Sequence, residues 1–265
     1  MNISKNNAVR FKGFANLYEN ARPAMPFYPV KIIFQYLKKT PDLVIDLGCG
    51  TGLSTSIWQK NCEKAIGIEP SEDMLKIAKT KENENLSFQS GYSHETELSD
   101  NCADIVICSQ SFHWMEPVST LDEVNRILKN DGTFATVDCD WPPVANWQIE
   151  KAYSELFYKV FEIENTHDKI KNNFVRYSKD KHLSNIQNCG YFRFAREIVF
   201  ANTEICTAKR LIDLTLSQGS LQDILKTEPS LIQNDVDSFI LLVNRTFGDK
   251  DFEIEFSYRM RIGVK

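Results

Sequence analysis

The segment Val44-Ile45-Asp46-Leu47-Gly48-Cys49-Gly50-Thr51-Gly52-Leu53 constrains the fold of this chain more than any other. An apolar run ends in an acid and passes at once into G-x-G-x-G. That order lets a strand stop, turn tightly on residues without a Cβ, and enter a helix, while bare peptide faces whatever lies above the strand's carboxyl end. Position 53 is Leu, so the spacing is not the G-x-G-x-x-G of dinucleotide folds. Glu69 stands twenty-one residues after Gly48, at the end of the next apolar run, Ala65-Ile66-Gly67-Ile68. An acid there can accept hydrogen bonds from both hydroxyls of a ribose. It equally suits the start of a helix opening on Pro70 and Ser71, where the macrodipole favours negative charge. The two roles are compatible.

From Asp42 to Cys139 short β-rich runs alternate with helical stretches. Leu43-Val44-Ile45 leads through the glycine turn to a helix, and Ala65 to Ile68 leads to a second helix through Met74, Leu75 and Ala78. A strand at Leu86 to Gln89, a buried run Ile105 to Cys108, a helix from Val118 to Leu128 and a strand Thr133 to Val137 follow, with Asn130-Asp131-Gly132 as the turn between the last two. The rhythm is that of βαβ units on a doubly wound parallel α/β sheet covered on both faces.

The later chain breaks this rhythm. Residues 141–189 read as an inserted helical cap rich in aromatics, with a helix over Ile149 to Glu164. Helices are expected over Glu204 to Leu216 and, between Pro229 and Gly248, over Pro229 to Phe247. From Phe252 to Ile262 apolar residues alternate with Glu253, Glu255, Ser257, Arg259 and Arg261, a period of two that predicts a half-buried antiparallel edge strand, with Tyr191 to Phe200 as its partner. The whole, 1–265, reads as one domain: a helical cap at 1–40, a ligand-binding core at 41–140, the insertion at 141–189, and a C-terminal part at 190–265 that completes the sheet.

Composition excludes several classes. Hydrophobic residues at 42% and charged residues at 25% are those of a globular chain. Thirty-one basic against thirty-six acidic residues give a net charge of −5, with no basic run, so nucleic acid is not expected as a specific partner. Seven scattered cysteines without a C-x-x-C pair predict reduced thiols and a cytoplasmic setting. The opening residues MNISKNNAVRF hold no apolar leader and the longest apolar run is Phe239 to Val243, so no membrane span is expected. His167 and His182 stand alone, and no His/Cys/Asp cluster has metal-ligand spacing.

Four segments together carry a family resemblance: the glycine motif at 44–53, Glu69-Pro70-Ser71 followed by Met74, the stretch from Gly91 to Asp104, and Ser109-Gln110-Ser111-Phe112-His113-Trp114. With Tyr18-x-x-x-Arg22-Pro23 ahead of Tyr28-Pro29, the chain resembles class I S-adenosylmethionine-dependent methyltransferases of the type 11 family, in the branch of trans-aconitate methyltransferase-like proteins. The resemblance implies a Rossmann-like seven-stranded sheet of order 3-2-1-4-5-7-6, last strand antiparallel, with S-adenosylmethionine as cofactor and S-adenosylhomocysteine as product. It implies that Asp46, Gly48, Gly50, Thr51 and Gly52 hold the methionine end, Glu69 with Pro70 the ribose, Met74 the adenine face and the residues after Gly91 the adenine edge, with Gln110 also at the cofactor. Arg22 is expected to pair the cofactor carboxylate, and Tyr18 and Trp114 to border the acceptor. Family members often place an acid directly after the loop glycine, where this chain has Tyr92-Ser93, which shifts adenine recognition to Ser93.

His113 follows the fourth strand, where ligands sit in open α/β sheets. With an ordinary pKa near ~6.5 it could take a proton from an acceptor, or it could wall the pocket with Trp114. An ionised carboxylate acceptor needs no base; a hydroxyl does. The expected function is methyl transfer to a small-molecule acceptor, with a non-catalytic S-adenosylmethionine-binding module or sensor as the alternative, and RNA methylation as a third reading that lacks a basic rim.

Overall fold

The structure, a computed structural model, describes residues 13–171 and 174–265. The opening residues 1–12, in which no leader is expected, lie outside the described residues.

Among the described residues, two helices, α1 (Ala15–Ala21) and α2 (Tyr28–Leu37), precede the sheet. Then come β1 (Leu43–Leu47), β2 (Lys64–Ile68), α3 (Glu72–Lys79), β3 (Leu86–Gln89), β4 (Ala103–Ser109), α4 (Pro117–Ile127) and β5 (Leu128–Cys139). The remainder is α5 (Trp147–Thr166), α6 (His182–Asn188), β6 (Phe194–Cys206), α7 (Ala208–Leu216), α8 (Gly219–Thr227), α9 (Gln233–Phe247) and β7 (Phe252–Val264).

The seven strands lie in the order β3-β2-β1-β4-β5-β7-β6, with β1 to β5 parallel and β7 antiparallel to both of its neighbours. Val44, Ile45 and Leu47 of β1 are buried because helices cover both faces of this central strand. The Asn130-Asp131-Gly132 turn survives as a bulge, since β5 pairs Leu128 with Ala103 and then Thr133 with Ile105.

Four sequence expectations need correction. The stretch after the glycine turn is a six-residue 3₁₀ helix, Thr55–Lys60, because Ser and Thr side chains compete for its backbone: the Ser56 hydroxyl donates to Gly52 O and that of Thr55 to Asp46. Strand β7 lies inside the sheet, and β6 takes the edge. Its alternation misplaced Arg261, which is buried and pairs with Asp138 of β5 and Glu197 of β6. The helix expected from Glu204 begins at Ala208, because β6 pairs with β7 all the way to Cys206. The helix expected over Pro229 to Phe247 is a 3₁₀ turn Pro229–Leu231 followed by α9.

Candidate functional site

The glycine loop hangs from the carboxyl end of β1. Gly48, Gly50 and Gly52 all have left-handed φ, +66°, +58° and +82°. A Cβ on Gly48 would come within 2.7 Å of Ser111 and Met115, and one on Gly52 within 2.7 Å of Phe88, so these two are fixed by packing. A Cβ on Gly50 would meet nothing within 4 Å and would stand in open cavity space. The Gly48 and Cys49 amides both donate to Ile68 O, and the Gly50 amide donates to Glu69 Oε2 at 2.9 Å, tying the loop to the end of β2.

Glu69 is buried, and its Oε1 accepts from Ser71 N at 2.8 Å, so it also satisfies an orphan donor where α3 begins. Burial pushes its carboxyl up to about 7 against the opposing pull of those two hydrogen bonds. Asp46, fully buried beneath the loop, is likewise pushed up to about 7 by burial. The Thr55 hydroxyl donates to its Oδ2 at 2.7 Å, while its Oδ1 and the buried Thr51 Oγ1 have no partner. Buried polar atoms without partners mark a place where a ligand or water completes the site.

Above the loop lies a cavity of about 110 Å³. Of the residues expected at the cofactor or acceptor, Gly48, Gly50, Thr51, Glu69, Pro70, Met74, Ser93, Gln110, Arg22, Tyr18 and Trp114 line it. Asp46 and Gly52 lie behind its wall. Tyr92 also lines it, beside His94 with ring centroids 5.7 Å apart, and Ser93 Oγ shares a 2.9 Å hydrogen bond with Thr120. Ser109, the last residue of β4, and Ser111 line it as part of the Ser109-to-Trp114 segment, and Met115 and Glu116, which the sequence reading did not name, line it just beyond that segment. Gln110 turns the chain there in left-handed backbone, φ 56°, held by its N–H to Val137 O.

A second, larger chamber of about 770 Å³ adjoins the first, and Tyr18, Arg22, Gln110 and Trp114 border both. The Arg22 guanidinium lies 5.0 Å from the rings of Tyr18 and Trp141, and its Nε and Nη2 donate to Ser217 and Gln218. Only Nη1 is left for a ligand, a commitment the sequence did not reveal.

His113 lines the second chamber rather than the first. The expectation of an ordinary histidine pKa is not met: burial pushes the imidazole down to about 3. Asp138 opposes this only in part, since its Oδ1 stands 3.6 Å from Nδ1, beyond hydrogen-bond reach. Asp138 is the hub of a network missed by the sequence reading. Its Oδ2 accepts from Arg261 and pairs with His182 Nδ1, both at 3.0 Å; against the upward push of burial, the Lys179 ammonium above all, with His113 and His182, holds its carboxyl well below the usual range. Tyr177 N donates to His113 O at 2.8 Å, joining the segment before α6 to the end of β4.

A seven-stranded sheet in this order, carrying a glycine loop, an acid at the end of β2 and a cavity over the carboxyl ends of β1, β2 and β4, defines the class I methyltransferase fold. Residues 45–136 match the methyltransferase domain family. A probable S-adenosylmethionine-dependent methyltransferase of Saccharomyces cerevisiae is 33% identical over 124 residues, 44% of this chain and 43% of its own length. An uncharacterised methyltransferase of Mycobacterium bovis is 29% identical over 131 residues, 49% of this chain and 52% of its own. The chain thus spans about half the length of these curated relatives. Among solved structures, a provisionally assigned type II methyltransferase of Anaeromyxobacter dehalogenans superposes with a TM-score of 0.69 at 13% identity, over 92% of this chain and 97% of its own. Geranyl diphosphate C-methyltransferase of Streptomyces coelicolor, solved with S-adenosylhomocysteine, does so at 0.53 and 14%, over 100% and 98%.

Proposed function

We propose that this chain transfers a methyl group from S-adenosylmethionine to a small-molecule acceptor held in the second chamber. The observation that carries this reading is the shared border: Tyr18, Arg22, Gln110 and Trp114 belong to both chambers, so a ligand in each would meet there. The fit of the cofactor to the first chamber rests on the open space over Gly50 and the unpartnered Thr51 Oγ1. When bound, S-adenosylmethionine supplies an electrophilic methyl on a sulfonium, whose S–C bond breaks in line with the bond formed to the acceptor.

In this reading Glu69 accepts the ribose hydroxyls, each carboxylate oxygen having capacity beyond the one N–H it already accepts. Pro70 borders the ribose and Met74 covers the adenine face. Ser93 and its neighbouring backbone meet the adenine edge. Gly48, Gly50, Thr51 and Gln110 line the methionine end, with Asp46 and Gly52 acting from behind the wall and Arg22 offering Nη1 to the carboxylate. Tyr18 and Trp114 close the junction over the acceptor. The described parts of segments 1–40 and 141–189 roof the site, 41–140 carries the cofactor, and 190–265 completes the sheet.

His113, held neutral by burial, serves as wall. A chamber with such a histidine favours an acceptor oxygen that arrives ionised, such as a carboxylate, over a hydroxyl that must lose a proton. No described helix is long and apolar enough to cross a membrane. The seven free thiols suit the reducing cytoplasm. The test is release of S-adenosylhomocysteine from purified protein with a panel of carboxylate and hydroxyl acceptors. Acceptor-dependent release supports the enzyme; tight cofactor binding without turnover across acceptors that bind would support the sensor.

A further inference from the structure

The larger chamber has a wall that cofactor binding leaves unused. Aromatic rings make much of it: Trp114, Trp141, Phe157, Tyr158 and Phe161. Tyr158 and Phe161, one turn apart on α5, leave 76% and 58% of their surface in solvent. Exposed rings continuous with an aromatic-lined chamber mark a place where an apolar body binds.

The charges in this chamber are unevenly committed. Of its acids, Asp140 accepts from Arg259 Nε at 2.8 Å, and Glu164 is engaged in a contact of its own. Of its cations, Arg22 spends Nε and Nη2 on Ser217 and Gln218. Lys179 is different. Its Nζ stands 3.3 Å from each of Gln110 Oε1, Cys139 O and Asp138 Oδ1, all longer than the roughly 2.7–2.9 Å of a well-formed charge-assisted hydrogen bond. Against the upward push of burial, Lys179 is the charge that lowers the Asp138 carboxyl most, but Asp138 Oδ2 takes Arg261 and His182 as well, so Asp138 does not depend on Lys179 alone. The ammonium therefore sits beside Gln110, where the two chambers meet, with capacity for a stronger acceptor. At the rim, exposed Arg176 has no partner among the described residues.

We infer that the larger chamber takes a ligand with an apolar, ring-bearing body and a single anionic group, which Lys179 anchors at the junction while Arg176 draws it in at the rim. That this ligand is the methyl acceptor rests on the proposed methyl transfer; that it binds does not. A small polyanion would set its further charges against rings that cannot hydrogen-bond them, and an amine would meet Lys179 with like charge.

The test titrates 1-naphthylacetate, 2-(1-naphthyl)ethanol, 2-(1-naphthyl)ethylamine and tricarballylate into the protein with and without S-adenosylhomocysteine, followed by tryptophan fluorescence and calorimetry. Naphthylacetate should bind roughly tenfold or more tightly than the alcohol and the amine, and tricarballylate least. Lys179→Met should abolish the preference for the acid over the alcohol, Lys179→Arg should keep it, and Phe161→Ala should weaken acid and alcohol alike. All three substitutions touch partly or largely exposed side chains, so circular dichroism and S-adenosylhomocysteine affinity within about threefold of wild type serve as the folding control. Equal binding of acid and alcohol, a preference that survives Lys179→Met, or tighter binding of tricarballylate would overturn the inference. Failure of naphthylacetate with normal S-adenosylhomocysteine binding refutes this inference alone, whereas absence of S-adenosylhomocysteine binding refutes the proposed function.

Discussion

Glu69 and Gly50 are joined across the mouth of the glycine loop, the Gly50 amide donating to Glu69 Oε2 at 2.9 Å. The same carboxylate thus braces the loop and lines the cavity above it. Because its other oxygen holds Ser71 N, the end of β2, the start of α3 and the loop after β1 share one anchor.

The loop glycines should divide by what surrounds them. Gly48→Ala forces a side chain within 2.7 Å of Ser111 and Met115, adding overpacking of about 1–3 kcal/mol to the cost of left-handed backbone. Its melting temperature should fall by roughly 5 °C or more. Gly50→Ala bears the backbone cost alone and should lose less, yet its Cβ enters the cavity, so S-adenosylhomocysteine affinity should drop roughly tenfold or more. Calorimetric scanning and titration of both variants check this. Equal melting temperatures with unchanged affinity would refute the division.

Asp46 should make the free protein less stable as pH rises. Its folded carboxyl sits at about 7, above the ordinary value of 3.8, so between these limits the native state holds a proton that the unfolded state has released. Stability from this group is therefore present at low pH and declines as pH climbs through about 7. Asp46→Asn keeps an oxygen for Thr55 and removes the titration. The change in melting temperature between pH 5 and pH 8 should shift toward better relative stability at pH 8 than wild type shows; an identical profile would reject a raised Asp46.

The alternation of apolar strands with helices and the G-x-G-x-G after Asp46 made the parallel half of the sheet and its cavity legible, because period and glycine placement are local properties of the chain. Other features depended on partners far away in sequence. Arg261 looked like an outward residue of an alternating strand, but Asp138 and Glu197 on two other strands make its burial possible. Glu69 was legible from its spacing, whereas the commitment of Arg22 to Ser217 and Gln218 was not, since no local pattern links residues 195 apart. His113 was found by its position after β4, but its protonation is set by burial and by Asp138, neither of which is a sequence motif.

With its pKa pushed down to about 3, His113 is neutral throughout pH 5–8 and its titration cannot shape a rate profile there. Once an acceptor is known, His113→Asn should keep the single-turnover rate within about threefold and leave the pH profile unchanged, where loss of a general base would cost roughly 10²–10⁴-fold. Loss of that size, with a limb removed near neutrality, would make His113 the base.

The most direct measurement is calorimetric titration of S-adenosylhomocysteine into wild type and Glu69→Ala. Wild type should bind one equivalent in the micromolar range, about −7 to −8 kcal/mol, and folded Glu69→Ala should lose at least about 1.5 kcal/mol, roughly tenfold, with its charge-assisted hydrogen bonds. No binding by wild type at ~1 mM ligand, or equal affinity in the two proteins, would contradict a cofactor site built on Glu69 and the glycine loop.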